Sequence, residues 1–320
     1  MKKIIDPAVF LLFMGFKTLF SVLPRTFCLA LGRGMGLMFY FFDSKHRTIA
    51  LSNLDLAFQK NNLRERQAIA KSSFLFYGEV IMDLIKFTTL SEKKRLQLVQ
   101  IEGKEFIREA LEQKRGVLLF TGHYGNWEIA PHSIARLGDL KVIARPLDNR
   151  CMEQELLRMR RSLGEEVIDK NRAARDVLKA LHRNAMVAVL IDQNVQRSEA
   201  VFVDFFGQAA ATTPAPAVFH IRTGSPLIPI FCYPGLGHNY QIKILPPLSI
   251  QLSGRFKEDM LKITQICTKM IEDQIRKNPN YWLWFHNRWK TRPEKESGLH
   301  PRAGGKIQEA KNQKGSKNSS

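Results

Sequence analysis

The chain has 320 residues, 44% hydrophobic and 25% charged, and its 49 Lys and Arg against 30 Asp and Glu leave a formal charge of +19. That length and apolar fraction suit one large domain or two small ones and exclude a disordered or collagen-like chain; no repeat with a period of about 20–50 residues is present. The charge calls for an anionic partner: nucleic acid, an anionic membrane surface, or an acidic protein or phosphorylated substrate. Nucleic acid is set aside, because the sequence holds no zinc finger, RNP-type aromatic motif or basic recognition helix. Cys28, Cys151, Cys232 and Cys267 lie far apart with no CxxC and no histidine at zinc spacing, so a reducing compartment is expected.

The most apolar stretch comes first. Residues 4–23 carry only Asp6 and Lys17 as charges, and 27–42 only Arg33. A spanning helix needs about 20 apolar residues, so the first run is marginal for one. Lys2 and Lys3 favour a cytoplasmic N-terminus, but Arg25 and Arg33 on the other side weaken that asymmetry. Three readings follow: a single membrane anchor, a helix lying in the interface with its cations snorkelling, or a cleaved signal peptide. The third is disfavoured by the absence of an A-x-A site. A buried hairpin of two core helices stays open.

Beyond Lys45 the pattern alternates. Helical periodicity covers 63–84 and 103–113, and a buried-strand run at 116–121 ends in the glycine-rich GHYGNWE. Helices at 127–137, 152–163, 173–182 and 214–222 interleave with strand-like runs at 141–144, 186–191, 227–231 and 240–245. A long amphipathic helix is predicted over 257–276, where Ile263, Cys267, Met270 and Ile271 share a face. Such alternation specifies an α/β fold with a largely parallel central sheet flanked by helices. Past Thr291 hydrophobic residues nearly vanish, and the tail is expected to be disordered.

Ligands of open α/β sheets sit at the C-terminal strand edge, which points to the segment from Thr121 to Glu128. His123 stands there on a glycine-flanked turn, with Glu128 five residues on in the predicted opening turn of a helix. Glu128 can fix the imidazole tautomer while His123 takes a proton from a substrate hydroxyl. No serine or cysteine follows in a nucleophile-elbow setting, which favours direct attack by that hydroxyl over an acyl-enzyme. On residue type alone a structural histidine remains equally open. The segment lacks HExxH spacing and no second His/Asp cluster accompanies it, so no metal is expected.

GHYGNWE resembles the HX4(D/E) block of glycerolipid and lipid A acyltransferases, and further blocks, in order, resemble the lipid A biosynthesis late acyltransferase family. KHRTIALSNLDLAF (Arg47, Asn53, Leu54, Phe58) is similar to its upstream block. ARPLDN (Arg145, Pro146, Asn149) and LIDQN (Asp192, Gln193) are similar to its second and third. FFGQAAATTPAPA (Phe205, Phe206, Gly207, Thr212) and YWLWFHNRWKTRP (Trp284, His286, Arg288, Trp289, Lys290) complete the set. Gln59 departs from a position where the family often has proline, and the tail after Pro293 lies outside the resemblance.

The resemblance implies a glycerolipid-acyltransferase-like layered fold with an N-terminal hydrophobic membrane helix. It divides the chain into a membrane-anchoring segment (1–44), a catalytic domain (45–293) and a basic tail (294–320). It implies acyl transfer from a thioester, usually on acyl carrier protein and otherwise acyl-CoA, to a hydroxyl of an anionic lipid A precursor at the cytoplasmic face of the inner membrane, with no cofactor. Other lipids, such as phosphatidylinositol mannosides, amino-acid lipids or lysophospholipids, are alternative acceptors, and a noncatalytic membrane or carrier-protein binding module is a further alternative. His123 and Glu128 are then the catalytic pair, and backbone amides around Gly125 and Asn126 the oxyanion donors. Arg145 is a bidentate phosphate candidate, Arg222 and Arg288 weaker ones, and Asn126, Asp192 and Gln193 line the substrate site. Phe205 and Phe206 are candidates for an acyl tunnel with core packing as the default, and the run from Tyr281 to Trp289 for an interfacial belt or a core-packed helix.

Overall fold

Val117–Thr121, Met186–Leu190 and Leu227–Pro234 are near-continuous apolar runs, the signature of strands covered on both faces, and they form the middle of a seven-stranded sheet in a computed structural model that describes residues 2–170 and 173–294. In chain order the strands are β1 (Val99–Glu102), β2 (Val117–Thr121), β3 (Leu140–Ala144), β4 (Glu165–Asp169), β5 (Met186–Leu190), β6 (Val201–Phe205), β7 (Gln208–Thr212), β8 (Leu227–Pro234) and β9 (Tyr240–Ile244). The sheet order is β1-β9-β8-β2-β5-β3-β4, with β6 and β7 apart as a hairpin. β2, β3, β4, β5 and β8 run parallel, as alternation with helices requires. β9 reverses, because the loop from β8 closes on itself through a 2.7 Å bond from the Gly235 N–H to the Asn239 carbonyl and leaves no room for a crossover.

The predicted strands and the helices α6 (Lys104–Glu112), α8 (Arg150–Ser162), α9 (Ala173–His182), α10 (Ala215–Thr223) and α11 (Phe256–Lys277) all appear near their sequence positions, whereas a short α5 (Glu92–Gln97) was not foreseen. The helix expected over 127–137 shrinks to α7 (Ala130–Ile134). Pro131 has no amide hydrogen to bond backward, so the helix can begin only there, and Glu128 falls in the turn before it. Sequence periodicity also missed β1 and β4, whose glutamates mask the alternation of short outer strands, and the β6–β7 hairpin. That hairpin turns on Phe206 and Gly207, both at positive φ (58° and 77°).

The N-terminal third is helical: α1 (Lys2–Val22), α2 (Arg25–Phe42), α3 (Ser44–Ala57) and α4 (Leu63–Thr89). α2 presses directly on α4 because both lack side chains at the crossing. A Cβ built on Gly78 would lie 2.1 Å from the Gly32 carbonyl oxygen, and one on Gly36 2.2 Å from that of Phe74. Arg25 clamps the buried Asp83 with two 2.6 Å bonds, and the Lys86 ammonium donates to the Phe20 and Ser21 carbonyls at the end of α1. Among the described residues no helix is long and apolar enough to cross a membrane, so the spanning helix expected at the N-terminus is not found. The buried-hairpin alternative fails as well, since Leu11, Leu12, Phe16, Phe41 and Phe42 are exposed. The expected basic tail, 294–320, lies outside the described residues apart from Glu294.

Candidate active site

The register of two adjacent strands builds the site. β2 ends at Thr121 and β5 at Leu190, and these two residues are paired. Two residues further along each strand stand His123 and Asp192, brought side by side at the C-terminal edge of the sheet. His123 donates its ring Nδ1–H to Asp192 Oδ1 at 2.8 Å and its backbone N–H to Oδ2 at 2.7 Å. The indole of Trp282 donates to Oδ2, also at 2.7 Å. Burial pushes the Asp192 carboxyl up, but its electrostatic interaction with the adjacent His123 ring and these three donors outweigh it and hold the group below the usual carboxylate range. With Nδ1 engaged, Nε2 carries the lone pair and accepts from the side-chain amide of Gln193 at 3.0 Å. The His123 side chain remains 17% exposed while Asp192 is sealed at 2%, so only the imidazole is open to a substrate.

Asp192 therefore takes the place expected for Glu128. Glu128 instead pairs with Arg160 in α8 at 3.1 Å, because the turn it occupies aims it at the end of that helix and away from the His123 ring. The expected oxyanion donors are likewise engaged: the Gly125 N–H donates to the Tyr281 carbonyl at 2.8 Å and the Asn126 N–H to that of Cys232 at 3.1 Å. Gly125 has φ +64° and a Cβ there would sit 1.8 Å from the Cys232 oxygen, so this tight crossing ties both amides to neighbouring segments. Asn126 is fully buried and cannot meet substrate.

Arg288 is also fully buried, donates to the Ala211 carbonyl and the Thr212 hydroxyl, and stacks over Phe205 at 5.2 Å. Desolvation lowers its pKa to about 10, and it braces the β6–β7 hairpin, out of reach of any phosphate. Phe205 and Phe206 pack in the same core rather than lining a tunnel. The segment from Tyr281 to Trp289 packs in the core rather than forming an interfacial belt, and is irregular rather than helical, with Trp282, Trp284 and Trp289 all buried. Arg145 does lie just past the end of β3, 77% exposed and only 3.6 Å from an exposed Asp148. Arg222 leads into the start of β8, at the opposite edge of the sheet.

Several residues with no signal in the spacing hold this arrangement. The Tyr77 hydroxyl donates to the carbonyls of His123 and Tyr281, and Ser73 donates to that of Trp282 at 2.7 Å. The blocks noted in the sequence converge on the same C-terminal segment. Asn53 donates to the Trp284 and His286 carbonyls, the Asn194 N–H donates to His286 Nε2 at 2.9 Å, and Phe58 packs on Trp284. Arg47 caps the end of α2 through the Tyr40 and Phe41 carbonyls. Beside the histidine, Trp127 stacks at 4.9 Å and begins an apolar slot that runs along the sheet face past Thr121, Ala188 and Leu190 to Ile134, Leu140 and Val142, with Glu128 and Arg160 on its wall.

Fold and site thus define an α/β protein that presents a carboxylate-oriented imidazole at its sheet edge, next to an apolar slot. Residues 3–291 match the family described as bacterial lipid A biosynthesis acyltransferase, and the chain belongs to that family. It is 25% identical over 289 residues to the lipid A biosynthesis palmitoleoyltransferase of Escherichia coli K12, covering 90% of this chain and 92% of that protein. The lipid A biosynthesis lauroyltransferase of the same organism is 26% identical over 296 residues, covering 91% and 95%. A phosphatidylinositol mannoside acyltransferase of Mycolicibacterium smegmatis is 24% identical over 226 residues, covering 69% of this chain and 72% of that protein. The protein is an acyltransferase.

Proposed function

We propose that this protein transfers a fatty acyl chain from an acyl carrier protein thioester to a hydroxyl of a lipid A precursor, with His123 as general base. The observation that carries this reading is the Asp192–His123–Gln193 chain of hydrogen bonds, which leaves a lone pair on Nε2 of a ring that is partly exposed while its carboxylate partner is sealed. The acceptor hydroxyl enters where the Gln193 amide now donates and passes its proton to Nε2 as its oxygen attacks the thioester carbonyl. Asp192 steadies the imidazolium, and the displaced Gln193 amide donates to the oxyanion. The tetrahedral intermediate collapses with loss of the carrier thiolate, which takes the proton back from the imidazolium, leaving an ester and a free thiol. The transferred chain lies in the slot beside Trp127.

The acidity of acyl carrier protein suits the basic surface, so donor KM should rise with salt. The exposed apolar residues of α1 and α2 support an interfacial seat on the cytoplasmic face of the inner membrane, with the helices lying on the bilayer. The phosphatidylinositol mannoside relative supports a second reading, acyl transfer to that lipid.

The deciding experiment is mass spectrometry of membrane lipids from cells lacking the gene, complemented with wild type or His123→Ala. The expected result is a lipid A short of one acyl chain that only wild type restores. An unchanged lipid A with a shift in another lipid would move the acceptor to the second reading, and full restoration by His123→Ala would overturn the role of the histidine. Glu128→Gln should alter the dependence on donor chain length, through Arg160 and the slot wall, and not the pH–rate profile.

A further inference from the structure

A second apolar pocket lies between α2 and α4, lined by Met35, Phe39, Phe74, Tyr77, Ile81 and Phe285. It meets the reaction centre through Tyr77, whose hydroxyl donates to the His123 carbonyl and whose ring packs at a tilt against Trp127, 5.5 Å between centroids. Phe285, on the same wall, packs on Tyr77 at 5.5 Å. Trp127 and Tyr77 are therefore the partition between this groove and the slot along the sheet, and His123, against Trp127, sits at that partition. The two cavities differ in outlook. The slot is laid against the sheet, whereas the groove opens at Phe39 and Ile81, 50% and 58% exposed, among the outward apolar residues of α2. Its lining includes one polar pair, Asp43 and His46, joined at 2.7 Å.

We propose that the groove between α2 and α4 holds an acyl chain already carried by the acceptor lipid. The inference rests on the acyl-transfer reading, in which two chains must flank one imidazole. The chain to be transferred arrives on a soluble carrier and must be drawn out of water, which suits the slot. The acceptor's chains are already in the bilayer and reach the site sideways, which suits a groove opening on the apolar face. Asp43 and His46 then offer hydrogen bonds to the polar head, while the glycine contacts of α2 and α4 bring the groove walls close enough to grip a single chain.

The test compares two acceptor probes in detergent micelles with the same acyl carrier protein thioester: an intact lipid A precursor and its O-deacylated form. Ile81→Glu places a charge on the exposed lip, where folding tolerates it, and Met35→Trp fills the groove. Each is expected to raise KM for the intact precursor about tenfold or more while leaving kcat/KM for the O-deacylated probe near wild type. In wild type, shortening the retained chains should weaken affinity by up to roughly fourfold per methylene, and this dependence should flatten in both variants. If wild type is active and Ile81→Glu treats both probes as wild type does, or loses equally on both, the groove assignment is overturned. If wild type acylates neither probe, the lipid A reading fails, and the assignment of the groove to that acceptor with it.

Discussion

Three donors converge on the carboxylate of Asp192, and two of them belong to His123. Replacing Asp192 by Asn keeps the shape but puts an amide where Nδ1–H must donate, which favours the other tautomer and moves the lone pair off Nε2. Asp192→Asn should lower kcat by roughly 10²–10⁴-fold with little change in KM, read by steady-state kinetics on a folded protein. Glu165 offers a pH test of a different kind. Burial, reinforced by the nearby charge of Glu128, pushes its carboxyl up to about 8. The folded state holds that proton over a range where the unfolded chain releases it, so this residue costs stability as pH rises from about 4.5 toward 8. Glu165→Gln mimics the protonated acid and should remove that cost. The variant should match wild type in denaturant melts near pH 4 and exceed it by roughly 1–3 kcal/mol near pH 8.

At the scale of elements, the contact of α2 with α4 depends on bare backbone. Gly78→Val puts carbon atoms against the Gly32 carbonyl and should cost roughly 2–4 kcal/mol, seen as a lowered Tm. Gly34, on α2, has nothing within 4 Å of its would-be Cβ, so Gly34→Ala should be neutral or stabilise by roughly 0.5–1 kcal/mol. The contrast isolates close approach from helix propensity. Both positions read alike in the sequence, as glycines flanked by apolar residues in helical runs, and only the crossing of the two helices separates them. The same holds for the predicted helix over 127–137: its apolar periodicity is real, but Pro131 fixes where the backbone ladder can start, and that places Glu128 outside it.

For the whole molecule, the distribution of exposed apolar side chains is the feature that bears on where it works. Leu12 and Phe42, 64% and 84% exposed, lie on α1 and α2 away from the catalytic sheet. Leu12→Ser and Phe42→Ser should each weaken binding to anionic vesicles in a sedimentation assay, by roughly tenfold, with unchanged circular dichroism. Equal binding by both variants would remove the support for an interfacial seat. The net charge of +19 predicts in addition that vesicle binding falls as salt is raised.

The α/β class, the five inner strands of the sheet and His123 as the candidate base were legible in the sequence, because apolar runs and glycine-flanked turns are local properties written in consecutive residues. The six ordered blocks carried the family as well, since they recur along the chain in order. What the sequence left open were the partners of those residues. The sequence reading paired His123 with Glu128 and gave Asp192 to the substrate wall; that Asp192 orients the ring depended on β5 lying beside β2 with Leu190 opposite Thr121, a register no spacing encodes. Arg288 read as a weak phosphate candidate and proved a buried brace, and the Gly125 and Asn126 amides read as oxyanion donors and proved engaged, because burial and hydrogen-bond partners arise from chain segments far apart in the sequence. Periodicity tells a residue which face of its own element it occupies; only the packing of elements against one another decides what that face meets.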